Sequence, residues 1–404
     1  MNTRLPLLLL GLVPISAIQA QDAFPDRLTG DWGGARSTMA EHGVTFDLDW
    51  TNYYQGLMQG TGDQSWEYGG RADAYLNIDT GKLGLWDGGL IRTHAEYYYG
   101  DLSANLGGTI APTNLGVRLP NGDPEEVVVT SLHLVQSFGK GTSLIAGVIN
   151  TVDLIAGHPF LGGGGHLRMF NLAFAAPPNG LLPPVIVGGI LSVPTKPIAW
   201  TFMVYDSNDR TRGGWFDDLY DDVNVSLGGK HAFQLGGRSS SVAVTGIYST
   251  QDGADFDDIL LQPPLVAGEK DDSWHASVQF DHFIHESATA PGQGWGFFVK
   301  MGASDGNPNP YQGFITGGIG GQGLFAARPK DSFGLGYFYY NISDDLQDTL
   351  DPLVGFDDEQ GIEAYYEVAV TPWLRVAADL QYVDPATAAN DNAFVGGLRA
   401  RFRF

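Results

Sequence analysis

Residues Ala393 to Phe404 read AFVGGLRARFRF, and their order decides what kind of fold the chain can have. Phe394, Gly396, Leu398, Ala400, Phe402 and Phe404 share one phase of a two-residue period. Val395, Gly397, Arg399, Arg401 and Arg403 share the other. Successive side chains of a strand point to opposite faces, so this strand meets an oily medium on one side and a charged, wet space on the other. A soluble sheet could carry such a strand with its apolar face on a core. Here the pattern runs to the chain end, closes on aromatic residues and recurs upstream, which favours a wall between lipid and water.

Working outward, the same period appears in Phe46, Leu48 and Trp50 against Asp47, Asp49 and Thr51, and in Ala72, Ala74, Leu76 and Ile78 against Arg71, Asp73, Tyr75 and Asn77. Ile91, Thr93, Ala95 and Tyr97 alternate with Arg92, His94, Glu96 and Tyr98. Similar stretches run over Trp274 to Asp281, Phe297 to Gly302, Ile362 to Val368 and Leu374 to Tyr382. Weaker ones begin near Val127, Thr142, Val185, Ala199, Val223, Val242 and Phe333, and the least regular lies near Phe314. With the terminal strand they number about sixteen, and most have room for the ~9–11 residues of a tilted membrane strand. The fold expected is all-β, a transmembrane antiparallel β-barrel with a short N-terminal helix. A barrel of this strand number encloses an aqueous channel, and closure satisfies every backbone N–H and C=O in hydrocarbon.

The rest of the chain fits an exported barrel. Arg4, the apolar stretch Leu5 to Ile15 and the small residues before Gln21 have the layout of a secretory signal over residues 1–20. Cysteine is absent, so an exported chain must be held by hydrogen-bonded ladders and not by disulfides. The longest later apolar run, Leu181 to Val193, is broken by Pro183, Pro184, Gly188 and Gly189, which argues against a membrane helix. Hydrophobic content of 43% with 56 glycines is too apolar for disorder and suits strands and turns.

Formal net charge is -24, from 46 acidic and 22 basic residues, and such a field repels nucleic acid. The acids concentrate in Asp206 to Asp222, Asp252 to Asp258 and Asn341 to Gln360, which read as solvated loops by composition. Divalent-cation binding there lacks support, since none has the spacing of a calcium loop. Between the signal and the first strand, Leu28 to Gly43 breaks the two-residue period. Thr29 or Asp31 could cap a short helix from about Gly33 that Gly43 ends, giving an N-terminal helical segment over 21–43 and a barrel over 44–404.

Three stretches resemble the carbohydrate-selective porins of the OprB family: LTGDWGGARSTMAEHGVTFDLDW (Leu28 to Trp50), GFFVKMGASDGNPNP (Gly296 to Pro310) and the closing segment Glu363 to Phe404 with its PWL and DLQY marks. The likeness extends in order over nearly the whole mature chain, with Leu106 to Leu182 the poorest match and a region where loops could shape the pore. The resemblance implies a sixteen-stranded barrel of the bacterial outer membrane that carries monosaccharides or small oligosaccharides down their gradient. It also implies Phe404 as a signal to the barrel assembly machinery, contact with outer-membrane lipid, and a possible homotrimer.

A sugar offers ring hydroxyls and apolar C–H faces, so a site for it needs charged or amide hydrogen-bond partners beside an aromatic platform. Transport needs release, which favours a graded row over one tight pocket. The best row is Arg92, His94, Glu96 and Tyr98, with Arg71, Asp73 and Tyr75 on the neighbouring strand, and with Arg375, Arg399 and Arg401 lining the lumen near the chain end. Any water-filled barrel needs polar inner residues, so some of these serve only to brace the wall. A general or cation-preferring channel is the alternative reading. Catalysis is disfavoured: the G-x-S-x-G string Gly302 to Gly306 runs into Asn307-Pro308-Asn309-Pro310 where an elbow needs a helix, and no H-E-x-x-H zinc motif is present. No cofactor or metal is expected.

Overall fold

The computed structural model describes residues 25–404 apart from 118–124, 164–165, 177, 179, 261–265, 289 and 291; the signal expected over 1–20 lies outside the described residues. The first half of the barrel is β1 (Val44–Gln59), β2 (Trp66–Asp79), β3 (Gly89–Gly100), β4 (Val127–Ser137), β5 (Ser143–Asn150), β6 (Val185–Pro194), β7 (Ile198–Asp206), β8 (Val223–Leu235) and β9 (Arg238–Ser249). A separate hairpin follows, β10 (Gly253–Leu260) and β11 (Val266–Lys270). The second half is β12 (Ser273–Glu286), β13 (Gly294–Ser304), β14 (Tyr311–Gln322), β15 (Ser332–Ile342), β16 (Glu359–Ala369), β17 (Leu374–Asp384) and β18 (Ala393–Arg403). Each barrel strand pairs antiparallel with its neighbour, β9 with β12, and β18 returns to β1, so 16 strands close into one barrel.

The stretch AFVGGLRARFRF makes the closing seam. Phe402 lies opposite Trp50, Arg401 opposite Thr51 and Arg399 opposite Tyr53, and the Phe404 N–H donates to the Leu48 carbonyl at 2.8 Å. Its phase is the expected one: Phe394 and Leu398 face outward, while Val395 and Arg399 are buried inside. Leu380 and Tyr382 of β17 likewise face out, with Asp379 and Gln381 inside. Val376 is 37% exposed on this outer face. Val376→Arg should cost roughly 2–4 kcal/mol if it lies near the bilayer middle; urea unfolding in lipid vesicles checks this, and unchanged stability would place Val376 away from lipid.

Short turns (138–142, 195–197, 236–237, 370–373), the start of β1 and the end of β18 lie at one end of the barrel, and the described parts of the long connections after β3, β5, β7 and β15 at the other. In bacterial barrels the short turns face the periplasm. At that end sits α1 (Ala35–Glu41), starting two residues later than expected. Asp31 accepts from the Ser37 N–H and hydroxyl, both at 2.8 Å, without capping the first turn. Gly43 follows at φ +88°, where L side chains are strained.

Two segments that composition marks as loops are ordered elements. Strands β10 and β11 pair antiparallel, and Asp344–Val354 form α3. The Ser343 hydroxyl accepts from the Leu346 N–H at 3.3 Å and Asp344 and Asp345 occupy the first turn, favourable against the helix dipole. Thr349 donates to the Phe256 carbonyl at 2.8 Å, joining helix and hairpin into one acidic cover at the long-loop end.

The lumen is not uniformly polar. Phe283, Phe298, Phe314, Phe338 and Tyr365 point inward from β12 to β16 and form a buried apolar patch. Phe160, Leu161, Met169 and Phe174, from the connection after β5, cover it from inside the barrel. Phe160 packs edge-on against Phe283 at 4.6 Å between centroids, and Phe174 against Phe338 at 5.9 Å. Gly336 makes the approach possible, because a Cβ there would overlap the Phe174 ring.

Candidate functional site in the lumen

The β2–β3 register places Arg71 opposite Tyr98, Asp73 opposite Glu96 and Tyr75 opposite His94, all facing inward. The pairing builds a single network. Arg71 Nε donates to both Asp73 oxygens at 3.0 and 2.9 Å, and its Nη2 lies 3.1 Å from Glu96 Oε1. Tyr98 donates to Glu96 at 2.9 Å, and His94 Nε2 lies 3.1 Å from Asp73 Oδ1. A loop and the end of β5 seal the network: Arg71 reaches the Gly116 carbonyl at 3.4 Å, and Asn150 donates to Glu96 at 3.0 Å. Arg71, Asp73, His94, Glu96 and Tyr98 are therefore buried behind the inserted loops and do not stand bare in open water. Asp73, His94 and Glu96 place ligand atoms within 4.8 Å of one another, a spacing a metal could use, but the Arg71 guanidinium pairs with both carboxylates.

Arg399 and Arg375 both donate to Glu367, each at 2.9 Å. Arg399 is buried with its guanidinium 4.4 Å from the Phe170 ring centre, so it supports segment 151–184 more than it lines water. Arg375 is nearer the periplasmic mouth, where it also bonds the Lys330 carbonyl. Arg401 pairs with Asp49 at 2.6 Å. Wall side chains hold the inserted segments by their backbone: Glu359 accepts from the N–H of Ile110 and Ala111, both at 2.6 Å, and Glu363 from Phe170 and Asn171 at 2.5 and 2.9 Å.

Segment 151–184 begins with the single-turn α2 (Thr151–Ile155), opened by the Asn150 side chain accepting from the Val152 N–H at 3.0 Å. Two cavities share it. Thr151, Val152 and Ile155 line a cavity of about 230 Å³ that meets Tyr311 and Tyr340 near the long-loop end. Asn150, Asp153 and Leu154 line a cavity of about 310 Å³ at the periplasmic side, with Asp49, Tyr75, Asn77, Arg92 and His94. The helix thus stands between an outer and an inner vestibule. His94 Nδ1 lies 2.9 Å from Asp153 Oδ2, tying it to the wall.

The inner vestibule has the parts a sugar needs. Tyr75 and His94 stack at 4.1 Å between centroids, and exposed Arg92 bonds Asn77 at 3.2 Å beside them. Sequence reasoning missed Asp153 and His166, which come from the loop, and Lys300, Tyr311 and Tyr340 of the outer vestibule. Lys300 was within reach, since it occupies the inward phase of β13. On the inward phase of β7, β8, β9 and β12, Thr201, Lys230, Thr245 and Ser277 are small or polar and keep solvent access. Ser304 of the G-x-S-x-G string does lie 2.9 Å from His275 Nδ1, but it ends a strand before a turn, and among the described residues no carboxylate bonds that imidazole.

Comparison with known proteins agrees with this architecture. The family described as carbohydrate-selective porin, OprB family, matches residues 63–404. Porin B of Pseudomonas aeruginosa is 29% identical over 181 residues, and the match spans 39% of this chain and 39% of that protein's length. The high-pH structure of Pseudomonas putida OprB superposes with a TM-score of 0.81 at 19% identity, over 94% of this chain and 98% of that one. The low-pH structure of the same protein gives 0.55 at 16% identity, with equal coverage. These two structures bear on the fold, and the family match on descent: the chain belongs to the carbohydrate-selective porin, OprB family.

Proposed function

We propose that the protein is a passive channel of the bacterial outer membrane that prefers small, glucose-like sugars. The observation that carries this reading is the inner vestibule beneath α2, where an aromatic stack, Tyr75 on His94, adjoins Arg92, Asn77 and Asp153 in a cavity of about 310 Å³. A hexose laid on the Tyr75 ring would present its hydroxyls to those groups, with contacts weak enough for release. Arg92 and Tyr75 are then the contacting residues. Arg71, Asp73, Glu96 and Tyr98 position the wall, and Arg375, Arg399 and Arg401 brace the loop and the periplasmic mouth. Passage is passive on this reading because, among the described residues, the lumen is narrowed by the barrel's own anchored loops and by no separate plug domain. Phe404, held in the seam by Leu48, is the proposed signal to the assembly machinery. Lipid surrounds the outer face, and three copies could assemble through it.

The acidic cover at the long-loop end favours a second reading, a channel that gathers cations without sugar preference. Planar-bilayer recording separates the two. Added glucose should reduce single-channel current saturably, and Arg92→Ala should weaken that block about tenfold with the barrel still folded. Reversal potential in a KCl gradient reads ion preference directly. Glucose without effect on the current, together with strong cation selectivity, would favour the second reading.

A further inference from the structure

The outer vestibule differs in chemistry from the inner one. Its lining is mainly apolar and comes from the inserted segments, with Ile110, Val152, Ile155, Leu172 and Leu182 facing the space. Its polar side chains are Thr151 of α2, whose hydroxyl reaches the Pro183 and Pro184 carbonyls at 2.9 and 3.0 Å, and Lys300, Tyr311 and Tyr340 of the wall. Among the described residues that line it, Lys300 is the one charged side chain, in a protein with 46 acidic and 22 basic residues. The Lys300 ammonium makes no hydrogen bond or ion pair with the described residues; the Phe314 ring centre lies 6.0 Å away, and Asp281 and His275 of β12 act on it at longer range. Tyr340 is 2% exposed, and its hydroxyl is buried without a partner. Tyr311 packs edge-on against it at 5.8 Å between centroids.

A cation set among apolar groups, with Asp281 of β12 acting on it from beyond ion-pair distance, is only partly compensated, and an entering anion recovers part of the remaining cost. A buried hydroxyl left unpaired carries a smaller penalty of the same kind. The vestibule therefore asks for a solute with one negative charge, at least one hydroxyl, and a face that tolerates aliphatic contact. We propose that the outer vestibule is a subsite for carboxylate-bearing sugars of the hexuronate type. Lys300 takes the carboxylate, Tyr340 and Tyr311 take ring hydroxyls, and the loop side chains cover the C–H face. This rests on the sugar-channel reading and extends its substrate class from neutral to acidic sugars. Neutral hexoses cross the same space without the charge contact.

The test uses the intact protein in planar bilayers at low salt, with glucose, glucuronate and benzoate as added solutes and the half-blocking concentration of each as the readout. Glucuronate should block at about a tenfold lower concentration than glucose, and benzoate should be weaker than glucuronate for want of hydroxyls. Lys300→Gln should bring glucuronate to the level of glucose while glucose block persists, and Lys300→Arg should keep the difference. Heat-shifted gel mobility confirms that both variants are folded barrels. Glucuronate no stronger than glucose in the native channel, or a difference that survives Lys300→Gln, overturns the subsite. Benzoate stronger than glucuronate overturns the assignment to sugars. A native channel indifferent to glucose but blocked by glucuronate through Lys300 retains the subsite and overturns the neutral-sugar reading instead.

Discussion

Replacing Arg71 with alanine is expected to destabilise the barrel by about 3–5 kcal/mol. Asp73 and Glu96 are fully buried, and Arg71 bridges both. Its removal leaves carboxylates facing each other across the β2–β3 pair with only His94 to offset them, and uncompensated buried charge is the costly case. Urea unfolding in lipid vesicles, followed by tryptophan fluorescence, reads the loss. A second variant isolates the cause: Arg71→Leu combined with Asp73→Asn and Glu96→Gln removes the charges together and should recover most of the stability. A loss under about 1 kcal/mol for the alanine variant, typical of exposed pairs, would mean that water reaches this network.

Phe174→Ala should have the largest effect on conduction. Phe174 of segment 151–184 is fully buried against the lumen wall, and truncating such a side chain costs about 3–5 kcal/mol of packing. Here that packing pins the loop that separates the two vestibules. The loop keeps its hydrogen bonds to Glu363, so it should loosen without leaving, giving a larger and noisier single-channel current. Gly336→Val approaches the same state from the wall, since its side chain would take the space of the Phe174 ring. Conductance unchanged in both variants would mean that this segment does not limit flow.

The strands were legible in the sequence because lipid outside and water inside impose opposite demands on alternate residues. The seam Ala393 to Phe404 shows this at full contrast, with arginines inside and phenylalanines outside. Contrast fades where a loop covers the wall. The least regular strand, near Phe314, has Phe314, Thr316, Gly318 and Gly320 on its inner phase, residues chosen for contact with an inserted segment and not with water. The partners of that patch, Phe160, Met169 and Phe174, lie more than a hundred residues upstream, and no local pattern links them. The acidic helix α3 hid for another reason: its charge dominates the composition, although the Ser343-Asp344-Asp345 start is a helix signal.

The row Arg92, His94, Glu96 and Tyr98 was visible as an inward polar ladder, and so were Arg71, Asp73 and Tyr75. Which members stay accessible was not, because that depends on where loops 101–126 and 151–184 lie. Arg92 and Tyr75 remain at the inner vestibule, whereas Arg71 and Glu96 are sealed by Gly116 and Asn150. The proposed function therefore divides along a single strand pair, with the periplasmic half lining the inner vestibule and the outer half holding the loops.

Swelling of liposomes carrying the native protein, in isotonic glucose, a disaccharide and a neutral amino acid of glucose-like size, tests the sugar preference most directly. Glucose should enter faster than the amino acid and the disaccharide more slowly than glucose. Equal rates for glucose and the amino acid, with the disaccharide slowed only by its size, would contradict a carbohydrate-preferring channel.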